Sequence, residues 1–267
     1  MRGARRRFVL ERELQVAVDA ARKAGAAVAD IYNREDFTTV EKADGKGPLT
    51  EADLAANQIL IDCIQAAFPD DAILSEETVD TPERLTNSRV WIIDPLDGTR
   101  EFTLHIPEFC VSVGFTLNGE AVVGALFNPA TGEMISGAKG LGVTYNDTQA
   151  SCTTKAGLNG SRFLVSRSEF KKGWFDDYKD TCELTPMGSV AWKFGLVAIG
   201  KAEASFTPKP RNEWDLCAGV ACILAGGGRA TNGQGVDYTF NRPDPLHIGV
   251  CGNNGHCHDD VLALIQK

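Results

Sequence analysis

The 267-residue sequence lacks any long apolar stretch, although 43% of its residues are hydrophobic. No run approaches the ~20 apolar residues that cross a bilayer. No apolar segment near the N-terminus has the form of a secretory signal. We therefore expect a cytoplasmic protein with no membrane partner. Arginines at positions 2, 5, 6 and 7 make the N-terminus basic, and we expect a solvated tail there.

The sequence also lacks an excess of basic residues. It has 27 Lys and Arg against 36 Asp and Glu, a formal net charge of −9. Polymeric nucleic acids are bound through basic surfaces, so this balance argues against them as partners. An acidic protein that binds an anion would need local cations, and bound metal ions would supply them.

Two common nucleotide-binding motifs and a zinc motif are absent. No Gly-x-Gly-x-x-Gly follows the early strands, which argues against a dinucleotide-binding oxidoreductase, and the glycines at 226–228 lack the Lys-Ser/Thr of a phosphate-binding loop. The eight cysteines are scattered, as expected for small buried apolar residues in a reducing compartment. Cys251, His256, Cys257 and His258 cluster near the end, but their spacing does not match paired zinc ligands.

What stands out is an acidic motif at the end of an apolar run. Residues 90–93 predict a buried strand, and two carboxylates, Asp94 and Asp97, follow it. Around a tight turn these carboxylates and the Leu96 carbonyl can face one point, which makes an oxygen-only site for a hard cation such as Mg²⁺. Gly98-Thr99 would present backbone N–H groups to an anion at a helix start. The alternative is an ordinary Asp-Gly turn after a strand.

Two further acidic positions favour the metal site over a simple turn. Glu76 and Glu77 follow another short apolar run, and Asp215 opens the apolar run 216–225. Each has an ordinary explanation too, as a solvated glutamate pair and as a first-turn aspartate on a helix dipole.

Together these pieces resemble the inositol monophosphatase superfamily of Mg²⁺-dependent, lithium-sensitive phosphatases. The resemblance spans most of the chain and includes both metal motifs in order. The matching segments are Leu49–Asp53, Leu74–Glu77, Asp94–Thr99, Met187–Ser189, Trp214-Asp215, Ala218-Gly219 and Ala225–Gly227.

Periodicity by itself predicts only a mixed α and β globular protein. The predicted helices cover about residues 11–33, 50–68, 170–178, 189–199 and 214–225, and an antiparallel meander is predicted between 90 and 143. We place a division near residue 150, with an α+β half, 1–150, that carries most acidic motifs and an α/β half, 151–267, that carries Asp215. The resemblance implies a five-layered αβαβα sandwich, as in inositol monophosphatase and fructose-1,6-bisphosphatase, with the site between the halves.

The resemblance also implies roles for individual residues, with two or three Mg²⁺ ions per site. Glu76, Asp94 and the Leu96 carbonyl would hold one metal, and Asp94, Asp97 and Asp215 a second. Glu76 would also lie near a third. Thr99 and Asp53 would activate the attacking water, although Thr50 and Asp53 also match a helix capping box. The implied substrate-binding residues are Gly98, Thr99, Ser189, Lys193, Lys209 and Arg211.

The substrate is less clear from the motifs. Arg100-Glu101-Phe102 and Glu108-Phe109 resemble the 3'(2'),5'-bisphosphate nucleotidase branch, which acts on adenosine 3',5'-bisphosphate. Inositol enzymes place a glutamate seven residues before the late aspartate, and here that position is Pro208. Exposed cations at 193, 209 and 211 would suit a second phosphate, or would be plain solvated surface.

The resemblance therefore predicts hydrolysis of a small phosphorylated metabolite, with the nucleotide bisphosphate as the leading substrate. Inositol 1-phosphate and histidinol phosphate are the alternatives. A non-catalytic metal-binding relative is the alternative from another class. Members of the superfamily commonly form homodimers, and the resemblance extends that possibility to this chain.

Overall fold

The computed structural model describes residues 10–34, 36–41 and 47–266, and also the helical backbone of residues 2–9. The basic N-terminal side chains therefore lie outside the described part. The helices are α1 (Arg2–Tyr32), α2 (Glu51–Ala67), α3 (Thr99–Thr103), α4 (Arg167–Phe170), α5 (Val190–Ala198), α6 (Glu213–Ala225) and α7 (His258–Ile265).

The strands before residue 151 are β1 (Thr39–Glu41), β2 (Pro48–Thr50), β3 (Ala72–Ser75), β4 (Arg89–Asp97), β5 (Cys110–Leu117), β6 (Glu120–Asn128), β7 (Glu133–Ala138), β8 (Gly142–Tyr145) and β9 (Thr148–Ala150). Strands β3 to β9 form a seven-stranded sheet in chain order, and β3 with β4 is its parallel pair. The others pair as antiparallel neighbours through short turns, as the alternation of apolar runs with Gly, Asn and Pro predicts. The predicted meander is confirmed.

The later strands are β10 (Arg162–Ser166), β11 (Glu183–Met187), β12 (Ala204–Thr207), β13 (Arg211-Asn212), β14 (Arg229–Asn232), β15 (Leu246-His247) and β16 (Val250–Asn253). A five-stranded mixed sheet has the order β11-β10-β12-β16-β14, in which β10 is parallel to both neighbours. Small two-stranded sheets join β1 to β2 and β13 to β15.

The layers are held together by three apolar clusters. One lies between the seven-stranded sheet and the pair α1 and α2. A second surrounds α5 and α6, which fill the space between the two sheets. A third packs α7 against the outer face of the five-stranded sheet. The order helix, sheet, helix, sheet, helix is the predicted αβαβα sandwich. None of the helices formed by the described residues has the length and apolarity to cross a bilayer.

One predicted helix is wrong. Over residues 170–178 the chain instead leaves α4 at Phe170, turns at Gly173 with φ +76°, and forms a single 3₁₀ turn at Asp176–Tyr178. A positive φ is readily adopted by glycine and ends a helix. The division near residue 150 stays a prediction, because α6 packs on the first sheet although it belongs to the second half of the chain.

Candidate active site

A bulge in β4 places two aspartates on one face of the sheet. Strand β4 does not end at Ile93 as the apolar run predicts; it continues through Asp97. Asp94 pairs with Ser112 and Asp97 with Cys110, so residues 95–96 face a single residue of β5. In a regular strand residues three apart point to opposite faces. The extra residue corrects this alternation and turns both carboxylates to the same side.

The third aspartate comes from the start of α6. Asp215 is at the third helical position, where it forms a capping box with Asn212. Carboxylate oxygens of Asp94, Asp97 and Asp215 all lie within 4.8 Å of one another, and we call these three residues the acidic cluster. Glu76, just after β3, lines the same cavity of about 290 Å³. The structure therefore brings together four of the predicted metal-ligand side chains.

Burial and mutual repulsion shape the electrostatics of the acidic cluster. Burial is the main cause that raises the pKa of Asp94 well above its usual range, and Glu76, Asp97 and Asp215 add repulsion. The pKa of Asp97 is also raised by burial. Burial followed by the charges of Asp97 and Glu76 raises the pKa of Asp215 to about 8. Nearby carboxylates in this state are stabilised by a cation between them.

Asp53 has both of the arrangements that the sequence left open. Its Oδ2 accepts hydrogen bonds from the Thr50 amide at 2.8 Å and the Thr50 hydroxyl at 2.6 Å, which completes a capping box of α2. Its Oδ1 lies 3.2 Å from the Thr99 hydroxyl, which also lies 3.0 Å from the Leu96 carbonyl oxygen. One carboxylate thus starts a helix and contacts the predicted catalytic hydroxyl.

Ser189 lines the cavity, but its hydroxyl is used within the protein. It donates to Asp97 Oδ2 at 2.5 Å and accepts from the Trp192 amide at 3.0 Å, while the Ala191 amide donates to the same Asp97 oxygen at 2.6 Å. The start of α5 therefore holds Asp97 through Ser189 and Ala191, and the role of Ser189 as a substrate ligand stays a prediction. Gly98 has φ +100° at the turn before α3, a conformation that glycine adopts without strain.

The three predicted substrate cations have three different settings. Lys193 is 4% exposed, and its Nζ donates to the carbonyl groups of residues 187–189. Burial lowers its pKa to about 8. It is therefore not the exposed cation that the sequence suggested, although it lines the cavity. Lys209 lies over the Trp174 ring, 4.4 Å from its centroid. Arg211 lines the cavity.

Several residues that line the cavity were not predicted as site residues from the sequence. Arg167, Ser166 and Ser168 enter the wall from the end of β10 and from α4, and Glu101 enters from α3. Burial raises the pKa of Glu101. The signal for Glu101 was present in the motif after Thr99, whereas the residues of α4 lie in a segment with no recognisable pattern.

The Cys and His residues near the C-terminus form no comparable group. Cys251 and Cys257 are buried, and the Nδ1 of His258 lies 2.8 Å from the Asn253 amide nitrogen. Within the part of the chain that the structure describes, the acidic cluster is the only group of three or more His, Cys, Asp or Glu side chains close enough together to share a metal ion.

Comparison with known families decides the assignment. The model of the inositol monophosphatase family matches residues 9–267. The chain belongs to the inositol monophosphatase family. Relatives named as phosphatases support the same assignment, and the protein is a phosphatase.

Two relatives and one solved structure illustrate the similarity. This chain is 31% identical over 266 residues to the inositol-1-monophosphatase of Synechocystis, and the match covers 96% of this chain and 89% of that protein. It is 30% identical over 221 residues to the histidinol-phosphatase of Chlorobaculum parvum, covering 81% and 84%. The inositol monophosphatase of Anabaena superposes with a TM-score of 0.81 at 27% identity, covering 96% of each chain.

The acidic cluster of this phosphatase fits a divalent cation. Its donors are carboxylate oxygens, which hard cations prefer over nitrogen and sulfur ligands. Its members are buried and repel one another, so that a cation would replace an unfavourable interaction with a favourable one.

We expect the metal-free phosphatase to lose stability as the pH rises from about 6.5 to about 8. The folded-state pKa values of Asp94, Asp97 and Asp215 are raised, so the folded state binds more protons than the unfolded chain until the pH passes those values. Each such proton changes the free energy of unfolding by up to ~1.4 kcal/mol per pH unit.

Thermal unfolding in EDTA across this window measures the effect. His247, whose folded-state pKa is lowered to about 4 by burial, is protonated only in the unfolded chain over this window, so its own contribution to stability rises with pH and is the same with and without Mg²⁺. Adding Mg²⁺ should flatten the decline, because the bound cation takes the place of the protons of the acidic cluster, whereas the contribution of buried Glu213, whose pKa is raised to about 7, remains. A pH dependence of the melting temperature that is the same in EDTA and in Mg²⁺ would contradict the expectation.

Proposed function

We propose that this phosphatase hydrolyses the 3'-phosphate of adenosine 3',5'-bisphosphate in a Mg²⁺-dependent reaction. The observation that carries the proposal is the composition of one cavity, which combines the acidic cluster with the guanidinium groups of Arg167 and Arg211. Carboxylates suit metal ions beside the reacting phosphate, and arginines suit a second phosphate on the same substrate.

The metal ions would be held by Glu76, Asp94, Asp97, Asp215 and the Leu96 carbonyl. When bound, Mg²⁺ neutralises the charge of the phosphate and lowers the pKa of coordinated water. The backbone N–H groups of Gly98 and Thr99 would orient the phosphate oxygens.

The protein's own proton path begins at Thr99. Its Oγ1 accepts a proton from the attacking water while its own proton moves to Asp53 Oδ1, 3.2 Å away. The water oxygen then forms the new bond to phosphorus and the ester P–O bond breaks. The leaving alkoxide takes up a proton from solvent, and Asp53 afterwards releases its proton to solvent. Ser189 and the start of α5 keep Asp97 in place during this step.

A specific observation also favours histidinol phosphate as a second candidate. The Glu101 carboxylate lines the cavity and would pair with the ammonium group of that substrate. Inositol 1-phosphate carries neither a second phosphate nor an ammonium group, and Pro208 occupies the position where the resemblance predicts its glutamate ligand.

The test compares phosphate release from the three substrates with Mg²⁺ present. We expect kcat/KM for the bisphosphate to exceed that for each monophosphate by at least ~10-fold, because a second charged contact contributes ~1.5–3 kcal/mol. A preference for histidinol phosphate that is lost in Glu101→Gln would establish the second candidate instead. Release from none of the three would refute the proposed substrates.

A further inference from the structure

Two arginines of the cavity wall are each held by a glutamate. The Nη2 of Arg167 donates to both carboxylate oxygens of Glu108, at 2.5 and 2.6 Å. The Nη2 of Arg211 donates to Glu169 Oε1 at 2.8 Å, and its Nη1 donates to the Pro210 carbonyl at 2.9 Å. Because both arginines line the cavity that holds the acidic cluster, these pairs belong to the wall of the active site.

The glutamates are themselves fixed by the surrounding fold. Glu169 is 5% exposed, and its Oε2 accepts the Thr207 hydroxyl at 2.6 Å. Glu108 accepts the Gly188 amide at 2.8 Å, from the turn that leads into α5. Each arginine is thereby attached to a side chain that cannot move without disturbing a strand end or a helix start, and its orientation is set before any ligand binds.

The hydrogen bonds to Glu108 and Glu169 leave some N–H donors of both arginines unused. A guanidinium has five N–H donors in a rigid plane, and the bonds above occupy only part of them. Within the described part of the chain, the buried Nε of Arg167 has no hydrogen-bond partner. The hydroxyl-bearing Ser166 and Ser168 flank Arg167 in the same wall. A buried donor without a partner is costly, so a ligand that accepts its hydrogen bond would be stabilised there.

The charge of this wall favours an anion. Apart from the acidic cluster and Glu76, the charged side chains that line the cavity are four cations and one carboxylate, and the two glutamates that hold the arginines bring the carboxylates to three, which leaves an excess of one positive charge. The cations are Arg100, Arg167, Lys193 and Arg211, and the lining carboxylate is Glu101. Arg211 and Lys193 repel each other, since the charge of Arg211 helps to lower the pKa of Lys193. An anionic group between Arg167 and Arg211 would satisfy the unused donors and reduce this repulsion.

We propose that Arg167 and Arg211 form a subsite for a second phosphate of the substrate, separate from the phosphate that is hydrolysed, and that Glu108 and Glu169 position them. The identification of that group as the 5'-phosphate of a nucleotide rests on the proposed function. The subsite gives Glu108, part of the Glu-Phe pair noted in the sequence, a role in substrate selection.

The test is the affinity of the full chain, with Mg²⁺ present, for adenosine 5'-monophosphate and for adenosine. These probes differ only in the phosphate that the subsite would bind. By isothermal titration calorimetry we expect the wild type to bind the nucleotide at least ~10-fold more tightly, since charge-assisted hydrogen bonds contribute ~1.5–3 kcal/mol. Arg211→Met and Arg167→Met should each remove most of that preference, and the lysine variants only part of it.

The positioning role of Glu169 has its own comparison. Glu169→Gln should reduce the preference for the nucleotide over adenosine several-fold, because its neutral amide holds Arg211 less firmly. Glu183→Gln makes the same change at an exposed position on β11 and should keep the wild-type preference. A purely structural role for Glu169 would weaken both probes equally and leave their ratio unchanged.

Failure of the subsite and failure of the proposed function give different results. Equal wild-type affinity for the two probes, or a preference that survives both arginine variants, would overturn the subsite even if the bisphosphate is hydrolysed. In the second case the nucleotide would be bound through the metal ions. An arginine-dependent preference without bisphosphate hydrolysis would keep the subsite and refute the proposed reaction.

Discussion

Replacing Asp94 with asparagine is expected to reduce Mg²⁺-dependent phosphate release by ~10³-fold or more, given that loss of even an outer-shell partner typically costs 10–100-fold. Asp94 is central to the acidic cluster, because its pKa is raised first by burial and then by all three of Glu76, Asp97 and Asp215. An amide has nearly the same shape but has neither the negative charge nor the second carboxylate oxygen with which Asp94 would hold a hard cation. Steady-state turnover at saturating Mg²⁺ measures the loss.

The same substitution should raise the stability of the metal-free protein. Removing one buried carboxyl group from the acidic cluster removes the free-energy cost of either protonating that group or holding its charge beside the others. We therefore expect Asp94→Asn to melt at a higher temperature than the wild type in EDTA, and Mg²⁺ to stabilise it less. Asp70→Asn makes the same chemical change at an exposed position and should alter neither quantity. Normal turnover by Asp94→Asn would contradict the assigned metal site.

The acidic motif was predictable because its chemistry is local in the sequence. An apolar run followed by Asp94 and Asp97 indicates a strand with carboxylates at its end, whatever the rest of the fold. The bulge that turns both to one face was not predictable, because it depends on the register against β5. The strand pattern placed the residues correctly, and only the pairing explains why they converge.

The part of the cavity wall that contains Arg167 and Lys193 was harder to predict, because its contacts join segments that are distant in the sequence. A lysine in an apolar helix gives no sign that three backbone carbonyls will bind it, as they bind Lys193. Likewise, Arg167 and Glu108 are far apart in the chain, and their pairing depends on how β10 is placed relative to the first sheet. The three cations were predicted to be exposed because lysine and arginine usually are, and for Lys193 that prediction is wrong because the fold buries it.

The packing of α6 on the first sheet was also not visible in the sequence. Gly114, Gly124 and Gly137 are paired across β5, β6 and β7, and form a row without side chains on the sheet. A Cβ atom on Gly124 would lie 2.1 Å from the carbonyl oxygen of Ala218 in α6. The backbone of the helix thus rests directly on the backbone of the sheet, one turn beyond Asp215, the predicted metal ligand.

Gly124→Ala is accordingly expected to destabilise the protein by ~3 kcal/mol or more, at the upper end for overpacking, because the contacted atom belongs to the backbone and cannot rotate away. For a chain of this size that loss lowers the melting temperature by ~6 °C or more. Mg²⁺ affinity should fall as well, since α6 carries Asp215 and moves as a unit. Thermal unfolding and a Mg²⁺ titration of the folded variant measure the two effects.

Gly233→Ala is the matched control, because its Cβ would meet other atoms no closer than 3.4 Å. That substitution should change stability by less than ~1 kcal/mol, and a small gain is expected from the restricted unfolded chain. A Gly124→Ala protein with wild-type melting temperature would show that α6 lies further from the sheet than described. Reduced stability with unchanged Mg²⁺ affinity would mean that Asp215 is held by its capping box with Asn212, independently of the helix's contact with the glycine row.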